Sequence, residues 1–267
     1  MTILYVFLVI SVIALIYMRY EVTLLKLRRI YFTKNSTGLK VVHISDIHLK
    51  YLKVSVQKLV RAIKSEKPDI IILTGDYINN ASHIPKLLNL LEVIKGDHKI
   101  CMCFGNHDYK ALNYSESKIN DLTQRIEAKG VHVLHNSSLL FELHSKRYNI
   151  IGIEDLRSGR YDIKKALDTC CTADTNIAIS HNPDIVFEIP KGKVDYLLCG
   201  HFHGGQIWMP FHLEFKLLRG EKLCKMGIIK GVNKFNGITL YINSGIGSVC
   251  FPLRFFSPPE IAVLHFP

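Results

Sequence analysis

Asp, Asn and His recur along this chain in short clusters, nearly all where an apolar, strand-like run gives out. The clusters are Asp46-Ile47-His48, Gly75-Asp76, Gly105-Asn106-His107-Asp108, Ser180-His181-Asn182-Pro183 and Gly200-His201-Phe202-His203, the last followed by Gly204-Gly205. A two-metal hydrolytic site needs this kind of ligand set. One carboxylate bridges two cations about 3.5–4 Å apart, while imidazoles, an amide oxygen and a second carboxylate complete the shells. Taken singly, a strand-terminal Asp is an ordinary turn or cap and a lone His an ordinary surface or core residue. Together they point to a metal site.

The elements that must carry these residues follow from the apolar pattern. Residues 39–44, 69–74 and 99–104 are short, almost uniformly apolar runs, as expected of strands buried on both faces. Between them, Val56, Leu59, Val60 and Ile63 repeat at helical spacing, as do Leu87, Leu88, Leu91 and Ile94 before Gly96. Ile119, Leu122 and Ile126 mark a third helix, stopped by Gly130, and residues 131–134 resume the sheet. Strand–helix alternation of this kind predicts parallel pairing with helices outside.

Farther on, 139–143 and 148–153 suggest a hairpin around residues 144–147, and 163–167 a helix. Residues 176–179, 194–199, 238–242 and 261–265 are further strands. The second half is therefore strand-rich, which suggests a second sheet packed on the first. In open α/β sheets ligands bind beyond the carboxyl ends of the strands, where Asp46, Asp76, Asn106, His181 and His201 are expected.

The chain has 267 residues, enough for one large α/β domain. With 21% charged and 48% hydrophobic residues, general disorder is excluded. The formal charge of +11 favours anionic partners such as phosphate esters, anionic lipid or nucleic acid. Seven cysteines is an odd number, and none shows zinc-finger spacing. Cys101 and Cys103 share one face of a predicted strand. Reduced, mostly buried thiols suit a cytosolic compartment.

Residues 2–18 carry no charge and are dominated by Ile, Leu, Val and Phe. That is the short end of a spanning helix, roughly 17–25 residues. Arg19, Lys26, Arg28, Arg29 and Lys34 follow it and nothing basic precedes it, unlike a cleaved signal peptide. The asymmetry predicts an uncleaved single-pass anchor in the cell membrane, with the catalytic domain in the cytoplasm. Between residues 20 and 32, Val22, Leu24, Leu25, Leu27 and Ile30 are mixed with basic side chains, which is compatible with a helix lying among lipid headgroups. Residues 35–38 form a linker, so the division expected is 1–34, anchor and juxtamembrane segment, and 35–267, catalytic domain.

The ordered set Asp-x-His, Gly-Asp, Gly-Asn-His-Asp, His and Gly-His-x-His resembles the calcineurin-like metallophosphoesterase superfamily across residues 39–267. Gly204-Gly205-Gln206-Ile207, Asn243-Ser244-Gly245-Ile246-Gly247 and Pro258-Pro259-Glu260-Ile261 are similar to its membrane-anchored or exported bacterial branch. Phosphatases and a pyrophosphohydrolase acting on a nucleotide-linked lipid belong to that branch. The resemblance implies an α/β/β/α sandwich of two mixed sheets packed face to face and flanked by helices. It implies that Asp46, His48 and His203 hold one metal, that Asn106, His181 and His201 hold another, and that Asp76 bridges them. His107 then stands beside the phosphate near the leaving group, with Asp108 orienting its imidazole.

The mixed oxygen and nitrogen ligands suit manganese, iron or zinc. Water held between two such cations loses a proton near neutral pH, which gives a nucleophile without a protein base. Protonated His107 would donate to the departing alkoxide.

Residues 206–236 interleave Trp208, Met209, Phe211, Leu213, Phe215, Leu217 and Leu218 with Lys216, Arg219, Lys222 and Lys225. This composition predicts a lid beside the cleft, suited to a lipid-linked phosphate or pyrophosphate. The alternatives are a general phosphomonoesterase or phosphodiesterase with soluble substrates, and a catalytically silent metal-binding scaffold. No nucleic-acid module is recognisable, so no nucleic-acid partner is expected.

Overall fold

The apolar runs of the sequence become the strands of two sheets. In the computed structural model, which describes residues 1–34 and 38–267, the first half carries β1 (Lys26–Tyr31), β2 (Lys40–Ile44), β3 (Ile70–Thr74), β4 (Lys99–Cys103) and β5 (His132–Val133). The second half carries β6 (Ser137–Leu143), β7 (Lys146–Gly152), β8 (Thr175–Ile179), β9 (Tyr196–Cys199), β10 (Gly231–Phe235), β11 (Ile238–Ile242) and β12 (Glu260–His265). One six-stranded sheet runs β1-β12-β2-β3-β4-β5 and the other β10-β11-β9-β8-β7-β6. Neighbours from β2 to β5, and β7, β8, β9 and β11, are parallel. β12 runs antiparallel to β2, and the β6–β7 and β10–β11 hairpins are antiparallel. Both sheets are therefore mixed.

Alternation along the strands sorts side chains into three layers. Val41, Ile70, Ile72, Cys101 and Cys103 meet Ile150, Ile177, Ile179, Leu198 and Tyr241 in the layer between the sheets. The outer face of the first sheet packs on α2 (Val56–Glu66), α3 (Ile84–Lys95) and α5 (Glu116–Glu127), through Leu59, Ile63, Leu87, Leu91, Leu122 and Ile126. On the second sheet, α6 (Ile163–Asp168), α7 (Leu213–Leu218) and α8 (Lys222–Lys225) contribute Ala166, Phe215, Leu223 and Cys224. The α/β/β/α sandwich expected is the one found. Each buried Leu or Ile contributes about 1.5–3 kcal/mol, so no single contact decides the fold. The cysteines are free thiols, with Cys101, Cys103, Cys199 and Cys224 buried.

Helix α1 (Thr2–Glu21) is long and apolar enough to cross a membrane, and its apolar side chains lie outside the sandwich. The headgroup helix expected after it is not formed: residues 26–31 are β1, the edge strand, parallel to β12. The period there is two. Leu25 and Leu27 pack into the outer core, while Ile30 and Phe32 pack into the layer between the sheets. Arg28 pairs with Glu260 and Arg29 with Glu66, so these cations complete the fold. The domain division expected after residue 34 would cut this strand from its sheet. The linker residues Asn35, Ser36 and Thr37 lie outside the described residues.

Two further differences have local causes. The β6–β7 loop is tighter than expected: His144 and Ser145, at φ 48° and 64°, form a two-residue turn whose twist matches the strands. The predicted lid ends in β10, paired with β11, because residues 231–235 alternate between half-buried and exposed.

Glu66 receives Arg29 and Lys40. Burial opposes its ionisation, but both cations hold the carboxyl below its ordinary value of 4.5. A depressed value adds stability that is present above pH 4.5 and lost as pH falls through the lower folded value. Glu66→Gln should therefore lower stability by about 1 kcal/mol at neutral pH. The difference, read by thermal melts, should vanish in acid.

Candidate metal centre

Each ligand-type residue follows the carboxyl end of a strand. Asp46 and His48 follow β2, Asp76 follows β3, Asn106 follows β4, His181 follows β8, and His201 and His203 follow β9. Because these strands run parallel within their sheets, their ends open on one side of the sandwich. Asp46, His48 and His203 form one buried group, and Asp76, His181 and His201 another, with donor atoms in each within 4.8 Å of one another. Oδ2 of Asp76 lies 3.1 Å from His181 Nε2 and 3.5 Å from His48 Nε2, so one carboxylate faces both groups. Oδ1 of Asp46 stands 3.1 Å from His203 Nε2 and 4.0 Å from His181 Nε2.

The backbone is bent to achieve this. Asp46, His48, Asp76, His201 and His203 all have positive φ, between 41° and 72°. Each such non-glycine residue costs about 1–3 kcal/mol and persists only where its surroundings over-determine it. At Gly105 and Gly200, among other positions, the loops approach so closely that only glycine fits. A Cβ on Gly105 would sit 2.3 Å from Asp76 Oδ1, and one on Gly200 would sit 1.8 Å from Ser45 Oγ and 2.2 Å from Asp46 Oδ2.

Protonation states follow from burial and neighbours. Burial opposes the charge on Asp46 and Asp76, yet the facing imidazoles hold both carboxyls far below their ordinary range. Burial pushes His48 down to about 3 and His201 to about 4, leaving bare imidazoles. On His181 burial is outweighed by Asp76 and Asp46, which raise it to about 10. Two ionised carboxylates in a buried pocket call for positive charge, the demand a divalent cation also meets. The Oδ1 of Asn106, at the cleft wall, is buried without a hydrogen-bond partner among the described residues. An orphaned acceptor costs about 1–3 kcal/mol, which coordination would offset. The donor set fits two divalent ions.

Surrounding bonds orient the rings. His181 Nδ1 donates to the Thr74 carbonyl at 2.8 Å, which leaves Nε2 to face Asp76. His201 Nε2 donates to Glu221 Oε1 at 2.9 Å, and Arg157 donates to the same oxygen at 2.6 Å. Asn79 sets its amide between Nδ1 of His48 at 3.1 Å and Nδ1 of His107 at 3.3 Å. Arg254, fully buried, donates to the carbonyls of Ser244, Gly247 and Ser257 beneath the site.

The sequence reading missed Asn79, Glu221, Arg157 and Arg254. Only Asn79, three residues past Asp76, lay near a motif.

His107 lines the cleft, and its backbone N–H donates to Asp76 Oδ1 at 2.8 Å. The expectation that Asp108 orients His107 is corrected. Its carboxyl accepts the N–H groups of Gly105, Asp76, Tyr77 and Ile78 at 2.8–2.9 Å, which ties the end of β3 to the end of β4. Burial, then Asp76, raises this carboxyl to about 7. Asp108 can serve the loop because α4 (Asn106–Ala111) starts at Asn106, a helix not foreseen in the sequence.

Residues 39–205 match the family model for the calcineurin-like phosphoesterase. The chain belongs to the calcineurin-like phosphoesterases. It is 34% identical over 226 residues to the metallophosphoesterase YkoQ of Bacillus subtilis, covering 84% of this chain and 82% of that protein. It is 28% identical over 277 residues to the UDP-2,3-diacylglucosamine pyrophosphatase LpxG of Chlamydia muridarum, covering 85% and 83%. Against the phosphodiesterase YaeI of Escherichia coli, identity is 26% over 249 residues, covering 91% and 87%. The crystal structure of the phosphopantetheinyl hydrolase PptH from Mycobacterium tuberculosis superposes with a TM-score of 0.51 at 12% identity, covering 82% and 92%. That last likeness concerns the fold alone. The calcineurin-like phosphoesterase is thus a hydrolase, and its two residue groups suit a dinuclear divalent metal site.

Gly200→Ala should lower metal affinity by at least roughly tenfold, because Asp46 must move. In the same metal titration Gly192→Ala, where no atom lies within 4 Å of the added Cβ, should bind as wild type does.

Proposed function

We propose that the enzyme hydrolyses a phosphoester or pyrophosphate bond of a lipid-linked substrate at a membrane surface. In this reading Asp46, His48 and His203 hold one cation, Asn106, His181 and His201 hold a second, and Asp76 bridges them. The observation that carries it is the position of Asp76, one oxygen of which faces His181 at 3.1 Å and His48 at 3.5 Å. Imidazole and carboxylate donors favour manganese, iron or zinc. When bound, such a pair acidifies water to a nucleophile near neutral pH and neutralises phosphate oxygens.

The chain's own side chains do the rest. His107 stands beside Asp76 at the cleft wall and donates a proton to the leaving oxygen. With its amide flipped, so that Oδ1 replaces the Nδ2 now 3.1 Å and 3.3 Å from the rings, Asn79 would accept from the Nδ1–H of both His48 and His107. That leaves Nε2 of His48 bare for a cation and Nε2 of His107 as the donor. Arg157 and Arg219 line the same cleft, of about 460 Å³, and offer positive charge to an anionic substrate. Apolar walls formed by Ile207, Met209, Phe215 and Phe251 suit the non-phosphate part.

Helix α1 is the anchor, and the basic residues after it favour a cytoplasmic catalytic domain. The kinship to a pyrophosphatase of a diacylated sugar nucleotide supports a lipid-linked substrate.

His107→Ala should keep its metal and lose roughly 10²–10⁴-fold in the hydrolysis of an alkyl phosphoester. Asp76→Ala should lose metal and activity together. Wild-type rates of His107→Ala on the alkyl ester would overturn the acid role. Failure of manganese-loaded protein to hydrolyse any mono-, di- or pyrophosphate ester would favour the scaffold instead.

A further inference from the structure

Helix α1 joins the domain at the rim of the cleft. Tyr17 packs against Phe255 and Phe256, each at 5.8 Å between ring centroids, and the Met18 carbonyl accepts the Arg254 backbone N–H at 3.2 Å. The same loop is bonded to the segment that follows His203. The Phe255 N–H donates to the Gln206 carbonyl at 2.9 Å, the Trp208 N–H donates to the Phe255 carbonyl at 2.9 Å, and the rings of Trp208 and Phe256 lie 5.9 Å apart. Gln206 completes the link, since its side chain accepts the Val249 N–H at 2.7 Å and donates to the Val249 carbonyl at 3.0 Å. Gln206, Met209, Val249 and Phe251 line the cleft itself. Membrane helix, aromatic rim and cleft mouth therefore form one connected structure.

The rim is also unusually apolar for a surface. Phe251 is 68% exposed, Phe256 56%, Phe211 82% and Leu217 72%, while Trp208 is 37% exposed. Contiguous exposed patches of this kind mark interaction surfaces, and Trp with Phe is the composition found where protein meets the headgroup level of a bilayer.

We infer that these two strips, residues 207–217 and 250–256, lie in the bilayer that holds α1, so that the cleft opens onto lipid and not onto bulk water. The occupant is the bilayer itself, because the patch is continuous with α1 through Tyr17. This inference rests on the reading of α1 as an anchor and deepens it. The class of substrate it admits is an amphiphile whose phosphate reaches Asp76 and His107 while its acyl chains stay in the membrane.

Trp208 is the sole tryptophan of the chain, so its emission reports the rim directly. The full-length protein, stripped of metal and reconstituted into phosphatidylcholine–phosphatidylglycerol vesicles, would be compared in lipid with and without bromine on the upper acyl carbons. At least a twofold loss of emission in brominated lipid is expected, with weak quenching by aqueous acrylamide. Emission indifferent to bromine and open to acrylamide would overturn the inference. So would shielding from acrylamide without bromine quenching that grows with protein concentration, because the rim would then be covered by a second copy. Protein that fails to float with the vesicles would remove the anchor reading and this inference together. Bromine quenching, together with inactivity of the manganese-reloaded protein on lipid pyrophosphates, would uphold the rim and leave only the substrate reading to fall.

Discussion

The buried carboxylate of Asp76 is the interaction on which the rest of the site depends. It faces His181 and His48 at once, so the two residue groups are one electrostatic unit. Holding an ionised carboxylate at about 1% exposure is costly unless positive charge and hydrogen bonds surround it. The protein meets that cost with the His181 and His48 rings, the backbone N–H of His107 and the backbone frame gathered by Asp108. Strained φ values at five ligand-type residues have the same origin: the loops are pulled to where the carboxylates need them.

Topology makes this possible at tolerable entropy. Parallel strands deliver their loops to one side, so residues far apart in sequence arrive together without long excursions. The layer between the sheets, filled by Ile70, Ile72, Ile150, Ile177, Cys101 and Cys103, fixes the separation of the two sheet edges. That separation sets the distance between Asp46 and Asp76 on one sheet and His181 and His201 on the other. Arg254 extends the frame outward, because its backbone meets α1 while its guanidinium supports the loops under Asp46.

Much of this was legible in the sequence where the local signal was strong. Uniform apolar runs ending in Asp, Asn or His located β2, β3, β4, β8 and β9 and the six Asp and His residues that gather in two groups. The mixture of apolar and basic side chains between residues 20 and 32 is compatible with a headgroup helix, whereas the pairing of residues 26–31 with β12 is a tertiary event. Helix α4 was hidden because its first turn is the Asn106-His107-Asp108 motif. Asn79, Glu221 and Arg254 carry no local signature. Their roles arise from contacts with residues 31, 20 and 10 or fewer positions away.

The central claim is that Asp76 joins two cation sites. Crystals grown with manganese and measured at wavelengths on both sides of its absorption edge test it directly. Two anomalous peaks about 3.5–4 Å apart, flanking the Asp76 carboxylate, are expected. A single peak, or two peaks separated by more than the reach of one carboxylate, would contradict it.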